Sequence, residues 1–364
     1  MLNILDRYIA GKFIKTFLFT VLIFSMVSLI IDFSDKIERF IESGITRSQI
    51  VFEYFPTFLV FILGLLWPMI ALISVVFFTG RLAGNSELLS ILNAGVSFNR
   101  ILRPYMLVAG ALTLIYLLGA HYVIPMSNFH RLGIEREYFG GDKDKGENQN
   151  VHFMVAPETV AFFRIYRKND STASDLRLES YVDHQLKSVL KARNAKYIGG
   201  KPHKWEIRNY SIRNFDEELK EDFDHFTASP LDTLIDVGPG DFIDYEEQHF
   251  SMTSSELLAY IAQQKRRGAG NVRKYQVEWA RRLSEPFTII ILTLIGVAVA
   301  GRKTRGGIGI QLATGIFIGA LFVFMSRFIS VISLNSPLPP IITMWIPNIC
   351  FALAAIWFMR RAQK

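Results

Sequence analysis

Long apolar runs alternate with polar segments along this chain, and several runs are long enough to cross a membrane. A membrane-spanning helix needs about 20 mostly apolar residues. Six runs approach or meet that length, and a single charge, Arg327, interrupts the fifth. The predicted spans are residues 13–31, 55–79, 101–124, 286–300, 308–332 and 338–359. The pattern therefore predicts a membrane bundle of six transmembrane helices.

The segment between the third and fourth spans is polar and has a different periodicity. Within residues 150–250, β-branched and aromatic residues mixed with polar ones predict strands at 160–166, 188–198, 204–214 and 241–245. The absence of βαβ spacing favours a sandwich or a roll. Thr253 to Glu256 fits a capping box and predicts a helix that leads back to the fourth span. The predicted domains are spans 1–3 in residues 1–124, a β domain in 125–252, a connecting helix in 253–276 and spans 4–6 in 277–364.

Charge is distributed unevenly along the chain, and this sets the predicted orientation. Residues 125–274 hold 46 of the 73 charged side chains, which excludes a single soluble globule and a disordered chain. The short loops on one side of the spans carry the basic residues Arg7, Lys12, Lys15, Arg81, Arg100, Arg103, Arg302, Lys303, Arg305, Arg360, Arg361 and Lys364. Cytoplasmic loops are enriched in Lys and Arg, so we expect both termini in the cytoplasm and the β domain on the opposite side. This bias explains the pI near 9.3 without a nucleic-acid partner.

The sequence contains no motif that predicts catalysis or metal binding. The seven histidines lack the spacing of metal ligands, and no GxSxG string occurs. The string from Gly296 to Thr304 misses the P-loop pattern, because Arg302 stands where the lysine belongs and the string follows an apolar span. We therefore expect a protein that is not an enzyme and that holds no cofactor or metal. Any ATP hydrolysis would belong to a partner.

Two short segments carry the candidate functional residues. Between spans two and three, Ser86, Glu87, Leu88, Leu89 and Leu92 lie in a predicted amphipathic helix that Gly95 ends. Such a helix either lies at the membrane interface, the commoner case, or docks into a cytoplasmic motor. At the far end of span one stand Asp32, Asp35, Lys36 and Arg39. Charges there are usually anchors, but they could also bind a lipid phosphate, directly or through a divalent cation.

At these residues the chain resembles the permease subunits of the lipopolysaccharide-export ABC transporter, the LptF/LptG family. The matching pieces are Leu5 to Ile9, Trp67 to Met69, Ser86 to Leu88 with Ala94 and Gly95, Tyr275 to Pro286, and Pro339 with Pro340. Their order and spacing cover nearly the whole chain. The opening Leu-Asp-Arg-Tyr resembles the G-type subunit more than the F-type subunit.

The resemblance implies a fold and a role. The insert would be a periplasmic β-jellyroll between helices 3 and 4 of an inner-membrane protein. The partners would be a dimeric cytoplasmic ABC ATPase, a homologous F-type permease, a periplasmic jellyroll bridge protein and lipopolysaccharide. Ser86 to Leu92 would form the coupling helix, and Asp32, Asp35, Lys36 and Arg39 would lie near the lipid head and its lateral gate. The chain departs from the family pattern at one position. Asp35 matches an acidic position of the family, and the family has a lysine three residues before it, where this chain has Asp32.

Three other functions are compatible with the sequence pattern. A membrane-anchored enzyme would have its active site in residues 125–274 and would gather titratable residues in a pocket there. A periplasmic scaffold would recruit partners by adding strands to its β edge. The third alternative is a permease with the same fold that exports another lipid.

Overall fold

Six helices long and apolar enough to span a membrane are present in the residues that the structure describes. The computed structural model describes residues 3–139, 149–167, 169–183, 185–200, 203–215, 221–227, 230–242, 248–266, 272–301 and 307–362. Spans 1 to 6 are the helices Ile4–Glu42, Arg47–Gly84, Phe98–Phe139, Val272–Ala300, Gly307–Asn335 and Pro340–Arg361. Each predicted span is confirmed, and most of the helices continue well beyond the apolar run.

Spans 2, 3 and 4 each contain a local departure from the α-helix. Span 2 includes a π turn at Ile50–Tyr54, and span 3 includes one at Gly119–Val123. Span 4 contains a 3₁₀ turn, Glu285–Phe287, at Pro286, which has no N–H to donate to the helix. Beyond its π turn, span 3 continues to Phe139 as a helix of mixed polar and apolar residues that the hydrophobic run alone did not reveal.

Span 2 lies at the centre of the bundle, where it contacts spans 1, 4 and 5. Against span 1, the ring of Phe78 stacks on Phe13 with centroids 5.5 Å apart, and Tyr105 of span 3 stacks on Phe78 at 5.1 Å. Against span 5, a Cβ on Gly315 would lie 2.9 Å from Val76. Glycine at this position therefore permits the close approach of the two helices.

The insert between spans 3 and 4 contains a seven-stranded antiparallel sheet. Its strands are β1 Gln149–Ala156, β2 Thr159–Arg167, β3 Thr172–Val182, β4 Gln185–Gly199, β5 Lys204–Phe215, β6 Glu221–Phe226 and β7 Leu231–Leu234. Strands β1 to β6 pair in sequence order, and β7 pairs with the first part of β5. A β domain inserted between spans 3 and 4 is confirmed, and its strand order is a meander.

Aromatic side chains fill the core of the β domain. Trp205 is fully buried and donates a hydrogen bond of 2.8 Å from Nε1 to the carbonyl of Val237. Phe242 stacks on Tyr166 with centroids 3.9 Å apart. The predicted strand at 241–245 is wrong where the structure describes it. Asp241 and Phe242 belong to the 3₁₀ turn Pro239–Phe242, because the carboxylate of Asp241 accepts a hydrogen bond from the Gly238 N–H at 2.8 Å.

The chain returns from the β domain through the helix Ser254–Arg266. The predicted capping box is confirmed: the Thr253 N–H donates to the Glu256 carboxylate at 2.8 Å, and the Glu256 N–H donates to Thr253 Oγ1 at 3.4 Å. Span 4 begins at Val272, earlier than the predicted boundary at residue 277. The six-span bundle and the β domain form two compact units.

Candidate functional site

A buried cluster of charged side chains lies near the C-terminal end of span 1. The Lys36 ammonium lies 2.8 Å from a carboxylate oxygen of Asp32 and 2.7 Å from one of Glu135 on span 3. It also contacts the hydroxyl of Tyr54, which lies in the π turn of span 2. The Lys36 side chain is only 12% exposed. Three spans therefore meet around one ammonium group.

A second cation completes this cluster. Arg131 lies 2.9 Å from Glu135, one helical turn away, and donates two further hydrogen bonds to the side-chain oxygen of Asn128. The cluster thus contains two cations and two carboxylates, which balance in charge. Such a buried pairing is costly to break, because the remaining charge loses its partner in a region that excludes water.

The four residues predicted at the end of span 1 divide between two environments. Asp32 and Lys36 point into the buried cluster, whereas Asp35 and Arg39 are exposed on another face of the same helix. The helix continues to Glu42, so residues four positions apart share a face. Arg39 is therefore the predicted cation that remains directed outward, and Lys36 is held by carboxylates.

The predicted amphipathic helix after span 2 is present as the loop helix, Glu87–Asn93. Ser86 precedes it with φ of 61°, and Gly95 follows it with φ of 85°, a conformation that favours glycine. Leu88 is buried in the core of the bundle and Leu92 packs against that core, whereas Leu89 is 56% exposed. Of the predicted docking residues, Leu89 is thus the large apolar side chain that faces away from the protein.

Glu87 anchors the loop helix to span 1. Its carboxylate accepts a hydrogen bond of 2.6 Å from the Tyr8 hydroxyl and lies 3.1 Å from the Lys12 ammonium. The hydrogen bond from Tyr8 holds the pKa of Glu87 below its usual value, and the Lys12 charge acts in the same direction. Glu87 is therefore ionised throughout the neutral range and ties two segments 75 or more positions apart.

Span 1 has a second tie near this end of the bundle. Arg100, at the start of span 3, donates two hydrogen bonds to the carboxylate of Asp6 at 2.7 and 2.8 Å. This bidentate geometry is the strongest common form of a protein ion pair. The starts of spans 1 and 3 and the loop helix are therefore connected by charged groups.

Span 4 begins with another group of buried charges. Arg282 lies 2.8 Å from Glu278 and donates hydrogen bonds to the carbonyls of Met252 and His249 at 2.7 and 3.0 Å. Arg281 pairs with Glu278 at 2.9 Å and Glu285 at 2.7 Å. Arg282 thereby fixes the segment through which the chain re-enters the bundle.

His249 lies beside these charges and outside the spans. Burial lowers its pKa to about 4, and the charges of Lys274, Arg281 and Arg282 oppose its protonation further, although Glu278 favours it. Its ring lies 4.0 Å from that of Phe250, centroid to centroid. The ring is therefore neutral at pH 7. In the part of the chain that the structure describes, no group of three His, Cys, Asp or Glu side chains could hold a metal ion.

The family model described as lipopolysaccharide export system permease LptF/LptG matches residues 7–361. The chain belongs to the LptF/LptG family. It is 24% identical to the lipopolysaccharide export system permease protein LptG of Haemophilus influenzae over the full length of both chains. It is 20% identical to LptG of Escherichia coli, with 99% of this chain and 98% of the relative covered. The chain is accordingly a permease of lipopolysaccharide export and resembles the G-type subunit.

In this LptF/LptG permease, several residues that build the site were not predicted from the sequence. Glu135 and Arg131 follow the third apolar run, and their spacing of four on a helix was the available signal. Tyr8 and Lys12 likewise lie one turn apart at the start of span 1. Tyr54 gives no local signal, because the fold alone brings it to Lys36, 18 positions earlier.

Proposed function

We propose that this chain is one of two permease subunits in an ABC transporter that extracts lipopolysaccharide from the inner membrane and passes it to a periplasmic β bridge. A dimeric cytoplasmic ATPase would supply the energy, because this chain has no nucleotide-binding motif. Family membership and the exposed apolar faces of spans 1 and 5 together support this function.

Those two apolar faces are the observation that carries the proposal. Span 1 exposes Leu18, Met26 and Ile30, and span 5 exposes Phe317, Phe324 and Val331. Lipid tails or a second six-span permease would cover such surfaces favourably, since burial of apolar area is stabilising. A cavity between two permeases, lined by spans 1 and 5, would hold the acyl chains.

The orientation follows from the loop charges. Basic residues gather at the end of the bundle that carries Arg7, Arg81 and Arg100, so that end would face the cytoplasm. Both termini would then be cytoplasmic, and the β domain would be periplasmic. The loop helix would meet the ATPase, with Leu89 in a groove of that partner and Glu87 transmitting its movement to span 1.

The charged end of span 1 would lie at the periplasmic side, next to the lipid head. Arg39 would contact a phosphate, because it is directed outward and charge-assisted bonds to phosphate are strong. Asp35 would lie beside it. Lys36 and Asp32 would hold spans 1, 2 and 3 together at the gate, so that Lys36 would reach the head only if the cluster opened.

The test is export by the assembled complex. The chain is co-expressed with its candidate partners, purified and reconstituted in proteoliposomes, and lipopolysaccharide release to an added β bridge is measured with and without ATP. We expect an ATPase and a phosphorylated glycolipid to co-purify, and Arg39→Glu to reduce the bound glycolipid. Arg47→Glu, an exposed arginine at the start of span 2, is the matched control. Release that is independent of ATP, or equal loss in both variants, would contradict the proposal.

A further inference from the structure

The outward face of the β domain carries a row of one aromatic and four polar side chains that runs across five strands. Phe162 on β2 pairs with Arg177 on β3, and Arg177 pairs with Lys191 on β4. Lys191 pairs with Ser211 on β5, and Ser211 pairs with His225 on β6. Their neighbours in sequence, such as Phe163, Leu176 and Ala192, are core residues. Side chains alternate between the faces of a strand, so the row lies on the face opposite the core.

Beside this row, the regular alternation of inward and outward side chains is interrupted on several strands. We call the residues within this interruption the step. Within a strand, two successive core residues are three positions apart instead of two. Examples are Phe163 and Tyr166 on β2, and Ile207 and Tyr210 on β5. Within that step, Asp175 on β3 and Asn209 on β5 have φ of 55° and 52°. Asp and Asn tolerate this left-handed conformation better than most residues, yet it still costs about 1 kcal/mol or more and is concentrated at functional sites.

The step and the row together form a concave site. A cavity of about 530 Å³ opens on this face. The row contributes Phe162, Arg177, Lys191, Ser211 and His225, and the step contributes Arg164, Asp175, Arg193 and Asn209. The lining therefore comes mainly from five strands of one sheet.

The charges of this cavity are unbalanced. Four arginine and lysine side chains line it, with one carboxylate, Asp175, which pairs with Arg164 at 2.7 Å. Arg177 pairs with Glu179 at 2.7 Å. Lys191 and Arg193, two positions apart on β4, are exposed and form no ion pair with any residue that the structure describes. Two cations thus remain available for an anionic ligand.

An aromatic ring supplies the apolar part of the site. The Arg177 guanidinium on β3 lies 5.2 Å from the centroid of the Phe162 ring. The ring of His152, on β1, lies 4.5 Å from the Phe162 ring, centroid to centroid. Hydrogen-bonding groups of Asn209 and Ser211 stand next to the cations. Sites that combine a few convergent polar groups with an apolar surface are typical of small-ligand recognition.

We propose that this cavity binds the phosphorylated sugar head of the exported glycolipid after it leaves the membrane bundle. The inference rests on the proposed function and deepens it, since it assigns the β domain a role toward the lipid head. Lys191 and Arg193 would hold a phosphate, as paired cations do, and Asn209 and Ser211 would bond the sugar hydroxyls. The site would keep the charged head oriented on the outer face of the sheet.

The test measures binding of the head alone to the full chain in nanodiscs of zwitterionic lipid. The probe is a bisphosphorylated glucosamine disaccharide without acyl chains, and the comparison ligand is the same disaccharide without phosphates. We expect saturable binding of the first only. Lys191→Glu with Arg193→Glu should weaken it about tenfold or more, a loss of about 1.4 kcal/mol. Asp175→Asn, which keeps a residue suited to positive φ, should tighten it because it removes the one carboxylate of the lining.

The matched control is Lys187→Glu with Lys196→Glu, which makes the same charge change at exposed positions of the same strand outside the cavity. Equal weakening by both double variants would overturn the site, since it would show only a general effect of charge. Equal binding of the unphosphorylated sugar would overturn it too. If whole lipopolysaccharide is still exported by the complex while the head alone does not bind, this inference fails and the proposed function stands.

Discussion

The Tyr8 hydroxyl donates a hydrogen bond of 2.6 Å to the carboxylate of Glu87, which joins the first turns of span 1 to the loop helix. Lys12, one turn further along span 1, lies 3.1 Å from the same carboxylate. The loop helix is thus held by two groups of a single helix face. A displacement of the loop helix would reach span 1 directly through these contacts.

Glu87→Lys is expected to uncouple the loop helix from span 1, because it places an ammonium beside Lys12. We expect ATP-driven lipopolysaccharide release to fall by about tenfold or more while the amount of folded protein is unchanged. Tyr8→Phe removes one hydrogen bond and should have a smaller effect. Glu53→Lys makes the same charge change at an exposed position of span 2 and is the control. Normal release by Glu87→Lys would contradict the coupling role.

Leu88 and Leu89 are adjacent, and we expect their substitutions to have opposite consequences. Leu89→Asp should abolish co-purification of the ATPase with little change in thermal stability, because the side chain is 56% exposed. Leu88→Ala should lower the free energy of unfolding by about 2–5 kcal/mol, since this leucine is 3% exposed in the bundle core. Thermal unfolding and a pull-down of each variant measure both effects. Retained ATPase binding by Leu89→Asp would place the docking surface elsewhere.

Lys36→Met is expected to destabilise the bundle, because it leaves Asp32 buried without its cation. Loss of one partner from a buried ion pair costs about 3–5 kcal/mol. Adding Asp32→Asn to the same chain should restore much of the stability. Arg39→Met, at an exposed position of the same helix, should change it little. Thermal unfolding in nanodiscs measures all four chains, and a stable Lys36→Met protein would show that the cluster does not hold the spans together.

His249 predicts a pH dependence of stability. Its pKa in the folded protein is about 4, below the ordinary 6.5, so the unfolded chain binds the proton more readily between these values. Stability from this group is therefore complete above pH 6.5 and is lost as the pH falls toward 4, by about 3 kcal/mol. His249→Phe should flatten the curve of unfolding temperature against pH. His130→Phe, at an exposed ring, is the control.

The sequence predicts the bundle well because its signal is strong. Runs of about 20 apolar residues have few alternatives to a spanning helix. The helix from Ile124 to Phe139 is less visible, because it mixes polar and charged residues with apolar ones. In the β domain, β2, β4 and β5 are confirmed from their β-branched and aromatic residues. Strands β1, β3, β6 and β7 were not predicted, since polar residues on the outward face weaken their pattern.

The candidate site is only partly readable from sequence for a different reason. Asp32 and Lys36 are four positions apart, so a helix alone brings them together. Glu135 joins them across 99 positions, which no local pattern reveals. The same holds for Glu87 with Tyr8 and for Asp6 with Arg100. The cavity on the β domain depends on strand register, which the sequence did not specify.

The π turns in spans 2 and 3 each take up one additional residue without changing the face that the following helix presents. One residue advances an α-helix by about 100°, and each π turn accommodates one additional residue. Deleting a residue from Gly119–Val123 would convert the π turn to an α turn and leave Arg131 and Glu135 facing Lys36, whereas deleting one between the π turn and Arg131 would turn both side chains about 100° away. A related permease without the additional residue would therefore keep the same charged partners on this face, so a single-residue gap at a π turn preserves the ion cluster and a gap beyond it does not.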